Sequence, residues 1–190
     1  MERELLFTGI GGQGIQLMTK VLADAAAREG KYAMVFGVYH GAIRGSPSDT
    51  TLVIGDAPIE APPIVPACWS IVAMHPRSLP PLLPKLRPDG LLFANDTLVD
   101  VAPPPRVTRI AVPATHLAER AGNLMGAGMI MLGALVAFTR IVTLDGVVAA
   151  MRAALPPHRA AMADTNATLI AEGAAWAGEA GAGTAVAGAF

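Results

Sequence analysis

A glycine run set between a strand and a helix constrains this 190-residue chain more than any other feature. Glu4-Leu5-Leu6-Phe7-Thr8 is an apolar run of strand length, and Gly9-Ile10-Gly11-Gly12-Gln13-Gly14 follows it at once. Ile15, Met18, Val21, Leu22 and Ala25 then recur at helical spacing. Gly30 sits where a helix commonly ends on a left-handed residue. Tyr32 to Phe36 reads as the next strand, so the opening predicts a β-α-β unit of ordinary length.

The rest of the chain repeats the alternation. Thr50–Ile54, Ser70–Met74, Leu91–Asn95 and Val107–Val112 read as four further strands. A glycine-rich loop spans Gly37 to Asp49, and prolines 58, 62, 63 and 66 mark a linking segment. Leu79 to Leu86 reads as a short helix whose prolines allow little regularity, and Pro88-Asp89-Gly90 reads as a turn. The last third is helical, with segments at Ala114–Ala121, Leu124–Arg140, Leu144–Leu155 and Pro157–Trp176. The expected fold is therefore α/β: three-layer and Rossmann-like, a mostly parallel sheet with helices on both faces and a helical C-terminal third. Residues 1–176 form the single expected domain. The Ala/Gly-rich segment 177–190 is expected to be a disordered tail.

Composition narrows the function classes. Charged residues make up only 15% of the chain, against about 25% in an average soluble domain. The reading is a surface partly covered by partner subunits. The net charge is −1 and no Lys/Arg block occurs, so the footprint of nucleic-acid binding is missing. Cys68 is the single cysteine; it reads as a buried small hydrophobe, and one thiol cannot hold an iron–sulfur cluster alone. His75, His116 and His158 lack metal-ligand spacing, and Gly45-Ser46-Pro47 is not a nucleophile elbow. No catalytic set emerges. The uncharged stretch 121–139 approaches membrane-span length, but it carries Asn123 and several glycines and reads as a buried helix, with Met125, Met129 and Met131 packing the core. No secretory signal is visible, and the expected compartment is the cytoplasm.

Two segments point to ligand chemistry. Gly9, Gly11 and Gly14 satisfy G-x-G-x-x-G, where backbone N–H groups at a helix start can receive a phosphate. A nicotinamide dinucleotide site also needs an acid at the end of the second strand. That position reads Phe36-Gly37-Val38-Tyr39-His40, with no acid. The other reading is that the glycines only let helix and sheet pack closely. Tyr39 to Ser46 would follow the second strand at the ligand-binding end of the sheet. There Arg44 either clamps a phosphate or carboxylate or is structural, tying down a loop or pairing across a subunit interface, and His40 is either an acid or base or, as a lone His in a loop more often is, structural. Gly11, Gly12, Gln13, Gly14, Arg44 and Ser46 are the candidate phosphate contacts.

Further segments complete a pattern. Phe7 to Gly14, the run Val21-Leu22-Ala23-Asp24-Ala25-Ala26, Gly41 to Ser46, Thr51 to Pro58 ending Asp56-Ala57-Pro58-Ile59, and Leu86 to Leu92 occur in order. Val112-Pro113-Ala114-Thr115, Gly122-Asn123, Leu132 to Leu135, Asn166 and Gly173 continue it. Over residues 4–176 the chain resembles the gamma subunit of the pyruvate/2-ketoisovalerate ferredoxin oxidoreductase family. The resemblance implies a complex that decarboxylates a 2-oxoacid on thiamine diphosphate with magnesium, passes electrons through 4Fe–4S clusters to ferredoxin or another acceptor, and gives the acyl group to coenzyme A. It implies alpha, beta and Cys-rich ferredoxin-like delta subunits as partners, no nucleic acid and no membrane span. It leaves this chain a structural role, with the glycine turn and Arg44 bordering the coenzyme A site. The family loop usually continues Arg-Gly-Gly, whereas here it reads Arg44-Gly45-Ser46-Pro47. A free-standing nucleotide-binding enzyme and a ligand-free scaffold are the alternatives.

Overall fold

The computed structural model describes residues 1–39, 46–62 and 64–181. Its strands are β1 (Glu2–Ile10), β2 (Tyr32–Tyr39), β3 (Pro47–Gly55), β4 (Cys68–Ala73), β5 (Leu86–Asn95) and β6 (Thr108–Val112). Its helices are α1 (Ile15–Arg28), α2 (Ala114–Arg120), α3 (Ala127–Thr139), α4 (Leu144–Ala154) and α5 (Ala163–Gly181). The strands form one sheet in the order β2-β3-β1-β4-β5-β6. β1, β4, β5 and β6 are parallel, and β3 is antiparallel to both of its neighbours.

Alternation along each strand splits the apolar side chains between two cores. Leu5 and Phe7 of β1, Val72 of β4 and Phe93 of β5 point to one face. There they meet Met18 and Leu22 of α1, Leu117 of α2, Ile130 of α3, Val147 of α4 and Ile170 of α5. Leu6, Val53, Ile71 and Leu92 point to the other face, under Val65, Leu79 and Val99 from the connecting segments. The sheet is mostly parallel and the C-terminal third helical, as expected. All five α-helices contribute to the first core, and the helical cover of the second face consists of short 3-10 turns at Pro76–Ser78 and Leu83–Lys85.

α3 explains the uncharged stretch. Nearly every one of its residues is buried, so its apolar character runs all round rather than along one stripe. It lies against α5 with no room to spare. A methyl group on Gly133 would overlap the Ile170 carbonyl, and one on Gly173 would overlap that of Ile130. The two glycines let the backbones touch. Among the described residues no helix is long and apolar enough to cross a membrane.

Several local expectations change. β2 does not pair with β1 as a simple β-α-β unit would require; β3 is inserted between them. The helix expected over Leu79–Leu86 shrinks to the single 3-10 turn Leu83–Lys85, because Pro80, Pro81 and Pro84 cannot donate the hydrogen bonds that a longer helix needs. α3 starts at Ala127 after a 3-10 turn at Leu124–Gly126. α5 starts at Ala163 after another at Pro157–Met162 and runs through Gly181, into the segment expected to be disordered. Ala177, buried in the first core, carries the helix past Trp176 by packing. Pro88-Asp89-Gly90, expected as a turn ahead of the strand at Leu91, lies within β5. It forms an irregularity inside the strand, where Asp89 adopts φ 63° and the register against β4 shifts between Cys68 and Ser70. The prediction of Met125 as a core residue fails, since it is 71% exposed, whereas Met129 and Met131 are buried.

Candidate functional site

The glycine turn leaves the carboxyl end of β1 and is held from three sides. The Gly11 N–H donates to the Ser46 carbonyl at 3.0 Å, and the Gln13 N–H donates to the Ile10 carbonyl at 3.2 Å. Gln13 folds its side chain inward. Its Oε1 accepts from the Ile10 N–H at 3.0 Å, and its Nε2 donates to the Met74 carbonyl at 3.2 Å, at the end of β4. The Ser78 hydroxyl donates to the Gly9 carbonyl at 3.3 Å. Gly12 and Gly14 take φ values of 101° and 75°, which other L residues adopt only with strain. Gly14 is the N-cap of α1 and offers no side-chain acceptor. The first N–H groups of a helix have no partner within it, so this end stays free to receive an acceptor from outside.

A second polar knot continues along the same edge. Asn95, fully buried at the end of β5, donates from Nδ2 to the Met74 carbonyl at 3.3 Å and to the Thr115 Oγ1 at 2.8 Å. Its Oδ1 accepts from the Thr115 N–H at 3.1 Å. Met74 thus joins Gln13 to Asn95, and the ends of β1, β4 and β5 and the start of α2 are fixed as one unit. Such a network is rigid when its members are satisfied.

These elements enclose a cavity of about 450 Å³. Gly11, Gly12 and Gln13 form one wall, Met74 and Leu98 another, Thr115 and Glu119 of α2 a third, and Leu124, Met125, Ala127 and Gly128 the last. Leu98, Leu124 and Met125 are exposed at the surface. Among the described residues of the lining, Glu119 is the one that carries a charge. The cavity lies outside the carboxyl ends of parallel strands, where open α/β sheets bind ligands.

Of the six predicted contacts, Gly11, Gly12 and Gln13 line the cavity and Gly14 adjoins them. The Gly11 and Gln13 N–H groups are spent within the turn, and Ser46 serves it through its carbonyl. Arg44 and His40 lie outside the described residues. The sequence does not mark Met74, Asn95, Thr115, Glu119, Leu124 and Met125 as site residues: Met74 and Asn95 appear there only as strand ends, Thr115 only within the Val112-Pro113-Ala114-Thr115 segment, and Met125 as a core residue.

The geometry disfavours a dinucleotide. In such sites the second strand neighbours the first and its end carries the ribose-binding acid. With β3 inserted, β2 lies two strand spacings from β1, roughly 10 Å away. Among the described residues no three His, Cys, Asp or Glu side chains gather as a metal site. The Cys68 thiol is buried against the second face, and burial pushes it up to about 12, the positive charge of Lys85 opposing the shift. A thiol so raised is a poor nucleophile and a poor ligand.

The sequence profile of the family described as "Pyruvate ferredoxin/flavodoxin oxidoreductase" matches residues 4–176. The chain belongs to this family. Within it, the chain is 31% identical over 165 residues to the 2-oxoglutarate synthase subunit KorC of Methanothermobacter marburgensis, covering 83% of this chain and 88% of the relative. Its fold is that of the family's solved gamma subunits. The keto/oxoacid ferredoxin oxidoreductase gamma subunit from Geobacter sulfurreducens matches with a TM-score of 0.82 and 26% identity, over 95% of this chain and 98% of that one. The pyruvate oxidoreductase subunit PORC from Thermotoga maritima matches with a TM-score of 0.74 and 28% identity, over 92% and 96%.

Proposed function

We propose that this chain acts as the gamma subunit of a 2-oxoacid:ferredoxin oxidoreductase and borders the coenzyme A site of the complex. The match to the family over residues 4–176 carries the reading. In the proposed reaction a 2-oxoacid loses carbon dioxide and two electrons, and coenzyme A receives the acyl group. Thiamine diphosphate with magnesium supplies the decarboxylation chemistry and 4Fe–4S clusters take the electrons, both held by alpha, beta and Cys-rich delta companions. Ferredoxin or another acceptor receives the electrons.

What this chain contributes is placement. The glycine turn presents an uncapped helix end, and the Gln13–Met74–Asn95–Thr115 network holds that end in place against the start of α2. A phosphate resting on the N–H groups of Gly12, Gly14 and the first turn of α1 would gain charge-assisted hydrogen bonds without any rearrangement of the turn. Arg44, two residues before Ser46 in the sequence, is the cation that would complete such a site. The test is the assembled complex carrying Arg44→Ala. Its apparent KM for coenzyme A is expected to rise about tenfold, the loss of one charge-assisted contact. An unchanged KM in an intact complex would remove the coenzyme A assignment while leaving the subunit assignment in place.

A further inference from the structure

β2 is an edge of the sheet. It pairs with β3 on one side and with no described strand on the other. Tyr32–Tyr39 reads YAMVFGVY, with no charge and no proline. Tyr32, Val35 and Phe36 are exposed. Such an edge offers a row of N–H and C=O groups to any strand that fits it, and charges or prolines are the usual guards against that pairing.

The edge is complementary to itself. Val35 lies opposite Leu52 of β3 and Gly37 opposite Thr50, and these lie opposite Leu5 and Phe7 of β1, which enter the first core. Val35 and Gly37 therefore stand on the face that α1 covers. A hollow of about 310 Å³ opens there, with Val35, Gly37 and Thr50 as its floor and Lys20 and Asp24 of α1 on its rim. Gly37 leaves the floor bare, and Val35 offers a side chain with nearly half its surface uncovered. Opposed residues of an antiparallel pair share a face, so a two-fold axis normal to the sheet can pass through Phe36. Phe36 then meets Phe36, and Val35 of each copy sits on Gly37 of the other. α1 lies over β2 and β3, so the two α1 helices run antiparallel roughly 10 Å apart, about two strand spacings and close to ordinary helix packing. Lys20 and Asp24 change places across the axis, and each ammonium faces the other copy's carboxylate.

We propose that β2 pairs antiparallel with β2 of a second copy of this chain, with Phe36 on the two-fold axis, joining two six-stranded sheets into one. This goes beyond the subunit reading and does not depend on the coenzyme A site. Sedimentation velocity of the full chain should report twice the 19.5 kDa of one copy. Val35→Glu, at an exposed position, should give a monomer with an unchanged circular dichroism spectrum. Lys20→Glu should weaken the dimer about tenfold, since two surface ion pairs are lost, and adding Asp24→Lys to it should restore the affinity. Oxidative cross-linking reads the register. Opposed Cα atoms stand about 4.5–5.5 Å apart, within disulfide reach, so Phe36→Cys should link the two copies. Met34→Cys lies on the same face but about 13 Å from its own copy, and should not. The native Cys68 is buried and stays out of the reaction. A monomer at every concentration, a dimer that survives Val35→Glu, or linking by Met34→Cys in place of Phe36→Cys would each overturn the proposal. So would an assembled complex in which Phe36→Cys is shielded from thiol reagents yet never cross-links, which would assign this edge to a companion subunit.

Discussion

Gly173→Ala is the sharpest test of how the helical layer is held together. The added methyl would overlap the Ile130 carbonyl, which is backbone and cannot turn aside. Ordinary contact begins at 3.4 Å, so α3 and α5 must move apart. Ile130, Leu169 and Ile170 along this seam are no more than 1% exposed. A fully buried aliphatic side chain contributes about 1.5–3 kcal/mol. A gap of 0.5–1 Å forfeits roughly a quarter to a half of the dispersion well. Three such residues then lose about 1–4 kcal/mol, and alanine's better helix propensity returns about 1 kcal/mol. The net expectation is a destabilisation of up to about 3 kcal/mol, the size of ordinary overpacking. Gly178→Ala in the same helix is the control. A methyl there meets nothing within 4 Å, so only the propensity gain remains, up to about 1 kcal/mol of stabilisation. Urea unfolding of the two variants, followed by circular dichroism, should give shifts of opposite sign. Shifts of the same sign would refute the close approach of α3 and α5.

Three further outcomes follow from single sites. Asn95→Ala leaves the half-buried Thr115 N–H without its acceptor and removes one donor from the Met74 carbonyl, so unfolding free energy should fall by about 1–3 kcal/mol in a denaturant titration. Cys68 should resist iodoacetamide at pH 8 in the folded chain and react fully in denaturant, as mass spectrometry would show; rapid labelling of the native protein would place the thiol elsewhere. Because burial raises that thiol from 9.0 to about 12, its contribution is fully present below pH 9 and is lost as pH rises from 9 towards 12, where the unfolded chain ionises first. Pulse unfolding across that range on wild type and Cys68→Ser should show a steeper alkaline decline for the wild type.

Much of the fold was legible because local signals agreed with one another. The strand from Glu4 to Thr8, the glycines and the period of Ile15, Met18 and Val21 each reported the same strand–turn–helix. Strand pairing was not legible. Nothing in Thr50–Ile54 says that it inserts between β1 and β2, since the direction of a strand is set by what it meets and not by its own pattern. The same holds for Pro88-Asp89-Gly90, which has turn chemistry and yet stays within β5, because a register irregularity accommodates it. Helix ends moved where proline competed with a helical period, at Leu79–Leu86 and Pro157–Met162.

The candidate site was half legible. The glycines announced themselves through backbone demands that few other residues meet. Gln13 was read as a ligand contact, whereas its side chain fastens the turn to β4. Asn95, Thr115 and Glu119 come from two other elements and meet it only because the sheet aligns the strand ends. A lone Glu on an amphipathic helix reads as a solvated surface charge. Only the fold, which brings α2 beside the glycine turn, shows that it lines the cavity.

The account turns on a chain that works inside an assembly and holds no redox centre itself. An affinity-tagged copy, isolated from cells that make the neighbouring subunits, should bring with it 2-oxoacid-dependent reduction of a low-potential dye that requires coenzyme A, while the same chain purified alone shows none. Turnover by the isolated chain, or a dye-reducing activity that separates cleanly from it, would contradict the account.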